Sequence, residues 1–302
     1  MPQSLTVPNL SGRLHVVTGA NSGLGLAMAH FLAARDASVV LACRSAANAE
    51  KTRQDILRVS PNAELHSMTL DVASLQSVRA FAEAMQRRFT TLDVLINNAG
   101  IMATPRAMSP DGFEMQFATN HLGHFALTGL LLPMMRDRRG SRVVAVSSIA
   151  ARSGRIDFDD PMGERRYDEW QAYNQSKLAN LMFALELQRR LRRAGAETWA
   201  LAAHPGASTT NLFSTPGGFI AKRVISPLMS RLLFQPAERG ALPILLAAVA
   251  REAENGGYYG PMGFQEMKGE PGRAVIPRQA LDEEAAARLW RLSAQLTGVA
   301  YP

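Results

Sequence analysis

The stretch HVVTGANSGLGLAMAHFLAA, His15 to Ala34, decides the fold. It reads as a strand, a turn carrying Gly19, Gly23 and Gly25, and then a helix over Gly23–Ala34. Glycines at such a junction permit a tight turn and let the backbone approach a pyrophosphate, which then meets the positive end of the helix. The strand before the turn and the helix after it are the context that separates a dinucleotide cradle from an ordinary tight turn. The spacing is G-x-x-x-G-x-G rather than G-x-G-x-x-G, which indicates a variant kind of dinucleotide binder.

Outward from that junction the chain alternates. Short apolar or β-branched runs stand at Leu14–Thr18, Ser38–Ala42, Leu65–Leu70, Val94–Asn97, Arg142–Ser147 and Thr198–Ala203, with a seventh at Gly257–Gly260. Helical patterns lie between them at Ala47–Val59, Leu75–Phe89, Gly112–Met135 and Ala172–Ala194. Strands alternating with helices of this length imply an α/β fold: one doubly wound Rossmann-type domain over residues 1–302, with a mostly parallel seven-stranded sheet covered by helices on both faces. Two segments break the rhythm, residues 150–170 and 207–236. Beyond Pro261 a C-terminal extension, residues 262–302, ends in an amphipathic helix over Asp282–Thr297.

Composition narrows the function. With 47% hydrophobic and 20% charged residues the chain looks globular. The apolar runs Leu130–Met135 and Ala241–Ala250 fall short of the roughly 18 to 20 residues that a membrane span needs. The N-terminus MPQSLTVPNLSG has no basic region followed by an apolar core, so a cytoplasmic location is expected. A single cysteine, Cys43, excludes an intrachain disulfide and a cysteine-cluster metal site. The net charge of +7 is spread as scattered arginines without an interleaved aromatic platform, which argues against nucleic acid and suits an anionic cofactor. His121 and His124 share a helix face, but no third ligand cluster accompanies them, so no metal is expected.

The second strand ends in LACRS, Leu41 to Ser45. An NAD-specific site would place a carboxylate there for the ribose 2′-hydroxyl. Arg44 would instead attract a 2′-phosphate, so NADP(H) is preferred over NAD(H). Asn48 stands close behind it, with Lys51 and Arg53 as further cations.

In AYNQSKLANLMF, Ala172 to Phe183, Tyr173 and Lys177 lie four apart, about one helical turn, and project side by side. A phenol ordinarily titrates near pH ~10, and a close ammonium would lower that value and fit the tyrosine for general acid/base work. Tyr167 is the competing tyrosine, but its i+4 partner is Gln171.

TGANSGLG at Thr18–Gly25, LDV at Leu70–Val72, NNAG at Asn97–Gly100, TNHLGHF around Asn120, VAVSS at Val144–Ser148, YNQSK at Tyr173–Lys177 and HPG at His204–Gly206 follow one another in an order that resembles the short-chain dehydrogenase/reductase family. ACR after the second strand, NHLGHF, SKLAN and HPG followed by a threonine are similar to its retinol-dehydrogenase-like branch, which includes the WW-domain oxidoreductase and the protochlorophyllide reductases. The resemblance implies an oxidoreductase that moves a hydride between nicotinamide and a carbonyl or alcohol. It gives Tyr173 the role of acid/base, Lys177 that of lowering its pKa and binding the nicotinamide ribose, Ser148 that of holding the substrate oxygen, and Asn120 that of holding a water in a proton relay. Gly19, Asn21, Ser22, Gly23, Leu24 and Gly25 would line the phosphates. Asp71 and Asn97 would line the adenine side, with Val72, Ala99 and Gly100 in the same cofactor set, and Pro205, Gly206 and Thr210 would meet the nicotinamide end.

Two departures matter. The interval from Ser148 to Tyr173 is longer than the family's commoner one, so the 150–170 segment must loop out near the site mouth. Asn48 replaces a lysine frequent in this branch. The apolar stretch Phe213–Phe234 follows HPG directly and would form a lid favouring a lipophilic substrate. Helices Gly112–Met135 and Ala172–Ala194 often carry homodimer or homotetramer contacts in this family. The alternatives are a cofactor-binding sensor or scaffold that has lost catalysis, and a light-driven reductase needing a reactive cysteine.

Overall fold

The computed structural model describes residues 5–207 and 235–301. Its centre is one sheet of strands β1 (Leu14–Thr18), β2 (Ser38–Cys43), β3 (Leu65–Thr69), β4 (Val94–Asn97), β5 (Arg142–Val146), β6 (Trp199–Ala203), β7 (Tyr258–Pro261) and β8 (Pro271–Arg273), in the order β3-β2-β1-β4-β5-β6-β7-β8. Pairing is parallel from β3 through β7. β1 and β2 are buried at every position, as expected for strands covered on both faces.

The strand period of two sorts the apolar residues into two cores. Leu14, Val16, Val40 and Ala42 face one core with helices α3 (Leu75–Arg88), α5 (Gly123–Leu131) and α6 (Glu169–Arg193). Val17, Val39, Leu41 and Cys43 face the other with α1 (Gly23–Ala33), α2 (Ala46–Val59) and α8 (Leu242–Val249), which follows the short α7 (Ala237–Gly240). The C-terminal helix α9 (Glu283–Thr297) joins the first core, where Phe125, Phe183, Trp290 and Tyr301 form an aromatic cluster. The Tyr301 hydroxyl donates to the Phe125 carbonyl at 2.7 Å. A Cβ on Gly129 would lie 2.7 Å from Val299 and 2.8 Å from Tyr301, so the backbone of α5 is bare where the C-terminal residues lie against it.

Among the described residues the sheet has eight strands, not the expected seven. β8 runs antiparallel to β7, with Tyr259 opposite Arg273 and Pro261 opposite Pro271. Its three residues, Pro-Gly-Arg, carry the composition of a turn, and proline is tolerated because this is the sheet edge. The expected helix over residues 112–135 is also broken. It starts as α4 (Met115–Phe117), widens to a π turn over Ala118–Leu122, continues as α5 and tightens to a 3-10 turn over Leu132–Met134. α6 begins earlier than expected because Asp168 caps it, accepting from the Gln171 N–H at 2.8 Å.

β1 has β2 on one side and β4 on the other, so the chain reverses its direction of winding there. In sheets of this kind the ligand crevice opens beyond the carboxyl ends of the strands at that reversal.

Candidate active site

A cleft of about 390 Å³ lies at that place. Its lining includes Gly19, Asn21, Ser22, Gly23, Leu24 and Gly25 from the first junction, Arg44, Ser45 and Asn48 after β2, Asp71 and Val72 after β3, Ala99 and Gly100 after β4, and Tyr173, Lys177 and Pro205. Most of the expected cofactor residues therefore share one wall-to-wall groove. Asn97, Asn120, Ser148 and Gly206 lie off its lining, and Thr210, with the whole Phe213–Phe234 stretch, lies outside the described residues.

The glycine junction is built for close approach. A Cβ on Gly25 would sit 2.1 Å from the Gly19 carbonyl oxygen, and one on Gly19 would sit 3.1 Å from the Ala99 Cα. Ser22 caps α1 by backbone geometry alone, without a side-chain bond, and no acidic residue occupies the first turn. The N-terminal N–H groups of an eleven-residue helix thus face the cleft with no carboxylate to oppose an anion. A dinucleotide fits this cradle.

Asn97 is a correction. Its side chain is buried and donates to the Thr128 hydroxyl at 2.8 Å, beneath the groove rather than in it. The neighbouring Asn98 lines the cleft instead, its amide donating to the Thr18 carbonyl at 2.7 Å. The doubled asparagine was the only sequence signal. Arg44 is exposed, whereas Arg53 pairs with Glu50 at 3.1 Å and Lys51 with Asp55 at 2.5 Å, so neither of the further cations is spare.

At the opposite end Tyr173 is 6% exposed and its phenol lies within the influence of Ser148. Burial raises the phenol above its ordinary value, and the nearby Ser148 hydroxyl pulls it partly back. The Lys177 ammonium lies 5.9 Å from the ring centroid and donates to the Val146 carbonyl at 3.2 Å. Burial brings Lys177 itself down to about 8. Ser147 is turned the other way, its hydroxyl donating to the Lys177 carbonyl at 2.7 Å. Asn120 sits near Lys177, but its side chain is spent on structure. It accepts from the Ile101 N–H at 2.9 Å and donates to the Ile101 carbonyl and to the Ser176 hydroxyl. Its main-chain carbonyl meets Nδ1 of His124 at 3.0 Å, and Nε2 of that ring meets the Thr18 hydroxyl at 2.9 Å. His121 bonds to Ser293 instead, so the two histidines diverge.

The 150–170 segment is pinned rather than loose. Tyr167 bonds through its hydroxyl to Thr104, Glu114 and Gln116, the Gly163 carbonyl accepts from Arg106, and Gln175 holds both Asp157 and Pro161. At its end Trp170, 55% exposed, meets the Tyr173 ring edge-on at 6.3 Å. Sequence reasoning missed Glu266, which lies 2.9 Å from Nε2 of His204 at the end of β6. Nothing in the Gly/Pro-bearing stretch around it marks it out.

A model of the short chain dehydrogenase family matches residues 13–216. The chain belongs to that family. Short-chain dehydrogenases/reductases are oxidoreductases that use NAD(H) or NADP(H) on alcohol and carbonyl groups. The family's retinol-dehydrogenase-like branch is the relevant one. Human retinol dehydrogenase 13 is 40% identical over all of this chain and 88% of its own length, and human retinol dehydrogenase 14 is 38% identical over 96% of this chain and 88% of its own. Among solved structures, an uncharacterised protein from Mycobacterium paratuberculosis superposes with a TM-score of 0.80 at 42% identity, covering 98% of this chain and 97% of that one. No helix among the described residues is long and apolar enough to cross a membrane.

Proposed function

We propose that this chain is an NADP(H)-dependent dehydrogenase/reductase acting on a lipophilic alcohol or carbonyl, with Tyr173 as its proton donor and acceptor. The observation that carries the reading is the placement of Tyr173 and Lys177 together in one groove with the glycine cradle and Arg44. A dinucleotide bound there supplies the hydride that reduces the carbonyl carbon. Gly19–Gly25 and the start of α1 hold its phosphates, and Asn98, Val72 and Asp71 border its adenine side. Arg44, with Ser45 and Asn48 beside it, offers a 2′-phosphate a cation and two neutral donors and no carboxylate.

Because burial keeps the phenol protonated, Tyr173 enters the reduction as an acid and delivers its proton to the developing alkoxide, while the Ser148 hydroxyl donates a second hydrogen bond to the same oxygen. Lys177 balances the phenolate left behind. Asn120 holds the backbone of Ile101 against α6 and so fixes the distance between the groove and the acid. Oxidation runs the same path in reverse.

A lipophilic substrate is supported by the retinol dehydrogenase relatives and by the exposed Trp170 beside Tyr173. The light-driven alternative has little support, since Cys43 is buried and its thiol is pushed up to about 11. The test follows NADPH and NADH oxidation with small, aromatic and long-chain aldehydes and ketones, with Tyr173→Phe beside wild type. Turnover of apolar carbonyls with NADPH that disappears in the variant is the expected result. Equal rates for the two proteins would refute the role of Tyr173, and faster turnover with NADH would refute the cofactor preference.

A further inference from the structure

A carboxylate from the far end of the chain reaches the histidine behind a turn that borders the groove. Glu266 lies in the connection between β7 and β8, and one of its oxygens, Oε2, meets Nε2 of His204 at 2.9 Å and the Arg152 guanidinium at 2.6 Å. Its other oxygen accepts from the Val275 N–H at 2.9 Å. On the far side of the imidazole, Nδ1 of His204 accepts from the Gly206 N–H at 3.2 Å. That bond requires a neutral ring with its proton on Nε2, which is the tautomer the Glu266 carboxylate selects. The chain of contacts therefore ends on the Pro205–Gly206 turn, and Pro205 lines the same groove as Tyr173 and Lys177.

Three further observations show that the contact is built. Gln265 and Glu266 both hold positive φ, 49° and 58°, which non-glycine residues keep only where their surroundings impose it. A Cβ on Gly260 would lie 2.1 Å from Nε2 of His204, so the imidazole fits only because that strand residue is bare. The same connection also backs the turn directly: the Ala207 N–H donates to the Met267 carbonyl at 2.7 Å, and a Cβ on Gly206 would lie 2.4 Å from that oxygen. Arg152 belongs to the 3-10 turn that Ser148 caps, so one carboxylate ties the serine turn and the Pro205–Gly206 turn together.

We propose that Glu266 is a positioning residue: through His204 it holds the Pro205–Gly206 turn in the form that receives the nicotinamide end of the dinucleotide, and through Arg152 it keeps that turn in register with Ser148. The inference rests on the dinucleotide reading above. Three charged or titratable groups face His204: Glu266, Arg152 and Tyr258, whose ring lies 5.3 Å from the imidazole. Burial lowers the His204 pKa below its ordinary value, and the Glu266 carboxylate partly restores it. Acid therefore puts a proton on Nδ1, removes the acceptor of the Gly206 N–H and loosens the turn.

The test measures NADPH affinity by fluorescence from pH 5 to 8, with thermal stability recorded alongside, for wild type, Glu266→Gln and Glu266→Ala. Wild-type affinity is expected to fall on the acid side. Glu266→Gln retains an acceptor for Nε2 and should bind as wild type does at neutral pH, with its acid limb displaced to lower pH because the carboxylate no longer raises the histidine. Glu266→Ala should weaken binding at neutral pH about tenfold, the size of one lost buried hydrogen bond. Should the alanine variant not fold, the displaced acid limb of the glutamine variant decides alone. Unchanged affinity and an unchanged limb in the variants, whatever their melting temperatures, would overturn the proposal and leave Glu266 a structural stitch. Wild type without NADPH affinity would instead sink the dinucleotide reading, and this inference with it.

Discussion

Lys177 is a buried cation that, among the described residues, hydrogen-bonds a single carbonyl, and that costs the fold something. Lowering its pKa from 10.5 to about 8 corresponds to about 3 kcal/mol of disfavoured charge at neutral pH. The sign is definite: the unfolded chain holds this proton more tightly, so the penalty is fully present below pH 8 and fades as pH rises from there towards 10.5. Lys177→Met removes the charge and keeps the length. It is expected to raise the melting temperature by a few degrees while abolishing turnover, a trade usual at active sites, and calorimetry beside a rate assay checks both halves. At this scale the sequence was partly legible. The spacing of Tyr173 and Lys177 places them on one face, and the Ser147 hydroxyl is spent on the Lys177 carbonyl. Whether an ammonium depresses a phenol depends on distance and burial, which spacing does not contain. The choice between Asn97 and Asn98 likewise turns on which side of β4 each faces as the strand ends.

The 150–170 segment draws its order from α4 and α6. Glu114 is a buried carboxylate that accepts from the Gln116 and Phe117 N–H groups and from the Tyr167 hydroxyl, so it caps a helix and anchors a loop at once. Tyr167→Phe leaves Glu114 its two backbone donors and should cost about 1 to 2 kcal/mol. Urea denaturation measures that loss, and limited proteolysis should locate the new cut between Ile156 and Asp168. Long, strongly periodic elements were legible from sequence, because burial on two faces writes itself as apolar runs. The π turn at Ala118–Leu122 was not: its wide turn is held by tertiary bonds, Asn120 to Ile101 and His124 to Thr18, that no local pattern announces. β8 escaped notice because three edge residues need no apolar period.

The whole molecule should be sensitive to acid. His15, His121 and His124 are buried and neutral, with burial holding them near pH 4, 3 and 4. The unfolded chain takes up these protons near pH ~6.5 while the folded chain refuses them, so stability falls as pH drops below that value, by about 1.4 kcal/mol per pH unit for each histidine. Melting temperatures recorded from pH 7 to 4.5 should decline steadily, and His121→Gln should decline less steeply. The alternation of strands and helices announced the layered sheet, but not that the molecule is fastened shut by residues 299–301. Synthesis runs from the N-terminus, so every strand and α9 itself have left the ribosome before Val299 and Tyr301 reach the bare flank of α5 at Gly129. Until then Phe125 and Trp290 lack their capping ring. The nascent chain thus carries the α5 flank around Phe125 uncovered until residues 290–301 are made, and chaperone protection has to last at least that long.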